Sequence, residues 1–177
     1  MMRSLFGGRR RGVFGHGREL GEYRNELFER TARVDSRLAD VADDIDALRR
    51  RDLEPDETVT RLTAHEDALD EESTALREML APEELHGLHM EYEANLERAL
   101  RGIVTVERGC GITKLPHRPP EDEEPYTYYK RGYQNVTHAR MRMGEIVEVL
   151  LTWEPGKPAD ATVATRLERQ REQSPGS

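Results

Sequence analysis

Between Arg18 and Arg51 an apolar stripe runs Leu20, Tyr23, Leu27, Val34, Leu38, Val41, Ile45 and Leu48, at steps of mostly three and four. That period matches the turn of an α-helix, whereas a strand alternates every two residues. The stretch predicts one amphipathic helix, about 50 Å long at about 1.5 Å per residue. Thr31 takes the one seam position without an apolar side chain, and the step from Leu27 through Thr31 to Val34 inserts a four-residue stutter. The opposite side is nearly all charge, so a helix of this length needs partner helices over its stripe.

The rest of the chain supplies candidates for those partners. Asp52-Leu53-Glu54-Pro55-Asp56 is a short connection whose proline suits the first turn of a new helix. A weaker stripe follows over Glu57–Leu80, on Val59, Leu62, Leu69, Leu76 and Leu80. His65 or Glu66, and Glu72 or Ser73, fill the seam between them. Short connections favour antiparallel neighbours. Pro82 with Glu83 and Glu84 reads as the start of a third helix rather than a kink. Its stripe runs Leu85, His89, Tyr92, Leu96, Ala99, Ile103, Val106 and stops near Gly109. A loop over 109–125 holds Gly109-Cys110-Gly111, four prolines and the acidic run Glu121–Glu124. The fourth stripe is Tyr129, Gly132, Val136, Ala139, Met143, Ile146, Leu150, Trp153, ended by Glu154-Pro155-Gly156.

The expected fold is therefore all-α: a four-helix bundle, or paired long helical hairpins with coiled-coil-like packing. The helical domain covers 19–154, between a flexible basic arm at 1–18 and a disordered tail at 155–177. The arm carries five arginines and no acid, and five of its residues are glycine, each about 1 kcal/mol worse than alanine in a helix. The whole chain has a formal net charge of -8, so the remaining residues are strongly acidic, above all 52–72 with nine acids against Arg61. Leu, Ile, Val and Phe make up close to a fifth of the chain, which suits a slender protein with wide solvated faces.

Several function classes drop out. One cysteine, Cys110, cannot close an internal disulfide, and the chain reads as cytoplasmic. Arg10-Arg11 superficially resembles a twin-arginine export signal, but the following residues are polar where an apolar core is required. No run approaches the apolar length of a spanning helix. There is no phosphate loop, dinucleotide glycine fingerprint or zinc-type cysteine pair. The 24 arginines against three lysines are spread along the chain, which points to composition rather than to a phosphate-reading patch.

Three places remain where chemistry could sit. Glu83-x-x-His86-x-x-His89, with His65 from the second helix, is the candidate metal set, because a carboxylate and an imidazole three apart form half of a di-iron bundle site. Against it, His138 has no carboxylate at minus three or four. Six positions between Glu83 and His89 also turn the helix by about 240°. Cys110, near Arg108, Lys114 and His117, is the candidate nucleophile, although it matches no local signature of cysteine catalysis. Tyr126, Tyr128, Tyr129 and Tyr133 form the densest aromatic patch and are the candidate partner surface, since tyrosine offers rigid contact area at low entropic cost. Arg9, Arg10 and Arg11 extend that surface to the arm, where an acidic protein partner or an anionic membrane surface would bind. The acidic body opposes nucleic-acid binding.

The leading expectation is a non-catalytic helical interaction or scaffold protein that self-associates as a homo-oligomer, because narrow stripes on charged helices bury too little within one chain. The alternative is a bundle that binds a metal or small ligand. The sequence names no cofactor.

Overall fold

A computed structural model describes residues 13–157. Four helices, α1 (Val13–Arg50), α2 (Pro55–Glu78), α3 (His86–Ile112) and α4 (Pro125–Thr152), pack into an all-α bundle. A single 3-10 turn, Glu83–Leu85, leads into α3. No strand occurs among the described residues.

Charged pairs that cross between helices give the register. Arg30 and Arg33 of α1 both meet Glu72 of α2, and Asp44 meets Arg61. Arg77 of α2 meets Glu97 of α3, Arg142 of α4 meets Glu91 of α3, and Arg140 of α4 meets Asp35 of α1. Thr63 of α2 with Glu107 of α3, Arg98 of α3 with Asn135 of α4, and Arg24 of α1 with the Leu150 carbonyl of α4 give these pairs of helices a second point. One residue number rises as the other falls, so every adjacent pair is antiparallel, with up-down-up-down topology. The stripes meet along the axis. Leu27, Leu38, Ile45, Leu62, Leu69, Leu76, Leu96, Ile103, Ile146 and Leu150 are all fully buried. Each full burial of such a side chain is worth about 1.5 to 3 kcal/mol.

Helix ends follow local chemistry. α1 closes with Asp52 N–H donating to Ala47 O (2.8 Å) and Arg51 N–H to Leu48 O (3.1 Å), a Schellman closure that puts Arg51 at φ 66°. α2 and α4 both begin with proline in the first turn, at Pro55 and Pro125, where a missing N–H leaves no bond unmade. Thr31, in the stutter, is buried, and its hydroxyl donates to Leu27 O at 2.8 Å, so its polarity is spent within its own helix.

Several boundaries differ from the sequence expectation. Helix α1 starts at Val13, inside the segment expected to be an arm, and runs through Gly15 and Gly17. Leu80, expected on the second stripe, lies beyond the end of α2 and is 93% exposed. Chain reversal before Pro82 ends that helix two residues sooner. Gly109-Cys110-Gly111 is helical, not loop: α3 continues to Ile112, because Gly109 lets α4 come close and Cys110 is buried beside Tyr129 of α4. Self-association was expected to finish an open core, and that premise does not hold, since each stripe is covered by the chain's own helices.

The two C-terminal helices pack closest. A Cβ built on Gly132 would lie 2.3 Å from Val106 Cγ2 and 2.6 Å from Gly102 O, and one on Gly109 would lie 2.8 Å from Tyr128 Cβ. Helix α2 contributes a more polar seam, with Thr58 and Ser73 buried beside Leu62, Leu69 and Leu76. The Ser73 hydroxyl is buried without a partner.

Candidate functional site

The proposed metal set is not assembled. His89 is 2% exposed and faces the bundle axis, while Glu83 and His86 stand exposed at the start of α3. Both His89 nitrogens are taken up internally. Nδ1 is 3.0 Å from the Tyr23 hydroxyl, and Nε2 is 2.9 Å from Leu76 O and 3.0 Å from Glu93 Oε1. With Nε2 protonated, the ring accepts from Tyr23 and donates toward Leu76 and Glu93, so one side chain joins α1, the end of α2 and α3. Burial, and then the nearby Glu93 charge, push the Tyr23 hydroxyl's pKa well up. His65 sits far along α2, eleven residues or about 16 Å from Leu76, and pairs with Asp44 at 3.5 Å. No three of the described His, Cys, Asp or Glu side chains converge as a metal-holding group. The helical period explains this, because it aims Glu83 and His89 to different sides.

Cys110 is fully buried, and burial pushes its thiol pKa up. A nucleophilic thiolate needs the opposite environment. Lys114, expected to supply positive charge, instead pairs with Asp56 at 2.5 Å.

The tyrosine patch divides by depth. Tyr128 is buried, its hydroxyl donates to Asp122 Oδ1 at 3.1 Å, and Arg108 lies over its ring at 5.4 Å. Asp122 has its pKa held low, first by the hydrogen bond from Arg108, which outweighs desolvation, and then by the one from Tyr128. Together these staple the start of the α3–α4 loop's return to α3. Tyr129 is buried too, with its hydroxyl beside the Cys110 thiol and no oxygen or nitrogen partner. Tyr133 is half-buried beneath the Arg49 guanidinium, 4.6 Å from its ring centre. Only Tyr126 is an exposed large aromatic here, at 53%. Arg9, Arg10 and Arg11 lie outside the described residues.

Tyr126 and Tyr129 share a surface groove of about 370 Å³ with Arg49, Arg51 and Leu53. It forms where the α1–α2 connection meets the start of α4, and Glu54 and Glu124 stand on its rim. Arg49 is engaged with Asp46 at 3.1 Å, and Glu124 with Arg118. The Arg51 guanidinium is exposed and makes no hydrogen bond or ion pair among the described residues. Its backbone is the one non-glycine residue with positive φ among them. Sequence reasoning missed Arg51, since a left-handed helix end normally announces itself as glycine.

No family model, curated protein or solved structure matches this chain.

Proposed function

We propose that this is a non-catalytic helical interaction protein of the cytoplasm, and that the groove around Arg51 and Tyr126 is where a protein partner docks. What supports this reading is Arg51. A side chain in the left-handed region costs about 1 to 2 kcal/mol that glycine would avoid, and strain of this kind points to use of the side chain it carries. Among the described residues Arg51 sets an unpaired planar cation beside an exposed tyrosine and Leu53, and arginine and tyrosine are residue types that carry most binding energy in protein interfaces. The single buried thiol accords with a reducing compartment.

The partner is an acidic segment of another protein, or a second copy of this chain. Placing the photo-reactive p-benzoylphenylalanine at position 126 and irradiating cells tests the surface. An adduct at one discrete mass supports it, and native mass spectrometry of the purified protein shows whether that mass is a homo-oligomer. Arg51→Gly separates binding from folding. It raises stability by up to about 1 kcal/mol and lowers the adduct yield several-fold. A variant that is stabilised with the yield unchanged would overturn the role of Arg51, and no adduct at position 126 would overturn the surface.

A further inference from the structure

At the opposite end of the bundle α1 outruns its neighbours. Pairing of Arg30 and Arg33 with Glu72 brings the last residue of α2, Glu78, level with about Glu26. Arg24 donates to the carbonyls of Leu150 and Trp153, where α4 ends. Helix α1 continues to Val13, a further eleven residues or about 16 Å past Arg24. In the step so formed lies a groove of about 520 Å³, lined by Glu19, Glu22, Glu26, Glu78, Met79 and Leu80. Arg30 also reaches it, but is already engaged by Glu26 at 3.0 Å and Glu72 at 3.2 Å. The groove is acidic along its sides, and Leu80 at its edge is 93% exposed.

We propose that this groove is the docking site of residues 1–12 of the same chain. Arg9, Arg10 and Arg11 lie against Glu22, Glu26 and Glu78, and Leu5 and Phe6 cover Leu80. The segment has four arginines and no acid, complementary to a groove in which four carboxylates outnumber the one arginine, Arg30. The other segment outside the described residues, 158–177, also leaves from this end, but its three arginines are balanced by three acids, so charge selects the N-terminal one. Reach agrees. Arg9 stands four residues before Val13, about 13 Å of extended backbone plus its own long side chain, while Glu22 and Glu26 lie about 14 and about 20 Å along α1 from Val13, and glycines at 7, 8 and 12 permit the reversal. The acidic stretch Asp40–Asp44 starts about 40 Å from Val13, beyond the reach of these arginines. Tethering holds the segment at an effective concentration near the millimolar range, which favours the chain's own groove over that of a second copy.

Disulfide trapping in the full chain tests this, because the native Cys110 is fully buried and leaves an introduced pair as the reactive thiols. Ser4→Cys with Leu80→Cys is compared, under mild oxidation, with a control pair of Ser4→Cys and the exposed Ser36→Cys. An internal cross-link should form about tenfold faster in the first pair. It should slow several-fold at about 0.5 M salt, where screening shortens to a few ångströms, and likewise in the triple variant Glu22→Lys, Glu26→Lys, Glu78→Lys. Adding Arg9→Glu, Arg10→Glu and Arg11→Glu to that triple variant restores the rate. Equal rates for the two pairs overturn the proposal. A covalent dimer as the main product overturns it in favour of a second copy, as does a rate indifferent to the charge reversals in favour of purely apolar contact.

Discussion

At Gly132 a single added carbon would meet Val106 Cγ2 at 2.3 Å and the Gly102 carbonyl at 2.6 Å, and neither neighbour is the free end of a flexible chain. Gly132→Ala therefore forces α3 and α4 apart and should lower stability by about 1 to 3 kcal/mol, read as a drop in the urea midpoint. Gly144 lies on the same helix, exposed, with nothing within 4 Å of its would-be Cβ. Gly144→Ala should raise stability by about 0.5 to 1 kcal/mol through helix propensity alone. Equal effects from the two substitutions would show that the close approach carries no energy. The sequence placed Gly132 on the fourth stripe by its spacing. It could not say that a neighbouring backbone stood there, because that depends on a residue thirty positions away. Arg51 is the harder case, since nothing in its neighbours marks a left-handed residue, and only the path of the chain between α1 and α2 imposes one.

Among the elements, α2 is held least evenly, by polar seam residues and by charges that work in opposite directions. Glu72 has its pKa held low by its hydrogen bond to Arg33 and, against some desolvation, by that to Arg30. Its pairing stabilises the fold above the ordinary carboxylate range and is lost as pH falls through the lowered folded pKa. Glu107 of α3, hydrogen-bonded by Thr63 of α2, is pushed up by burial, and Glu66 of α2 is pushed up by burial and then by Glu107 and its acidic neighbours. These two oppose folding while ionised, and the penalty disappears as pH falls through their raised folded pKa values. Glu107→Gln should therefore raise the melting temperature at pH 7 and converge with the parent protein in acid. Glu72→Gln should lower it at pH 7 and also converge in acid. Melting curves across that pH range check both, and parallel offsets at all pH values would mean that the effects are not electrostatic. The helix itself was legible from its proline start and acidic first turn. Its end was not, because the Leu80 spacing continues the stripe while the chain leaves the helix before Pro82 to turn into α3.

For the whole molecule the balance of charge decides the response to salt. Interhelix pairs such as Arg33 with Glu72 at 2.5 Å and Arg140 with Asp35 at 2.7 Å favour the fold, but most are exposed and worth well under about 1 kcal/mol each. Set against them is an acidic body, with nine acids and one base in residues 52–72. Screening that repulsion should raise the melting temperature modestly between about 0.02 and about 0.2 M salt, and a fall would show that the cross-helix pairs dominate. Among the described residues no helix is long and apolar enough to cross a membrane. The sequence by itself determined the fold class, the four helices and most of the core residues, because burial repeats with the helical turn and each stripe is written within one local segment. Tertiary structure alone decided where the helices stop, which tyrosine stays at the surface, that His89 serves a three-helix junction and that Arg51 lines a groove. Each of these depends on what a distant segment brings alongside, and local periodicity carries no information about that neighbour.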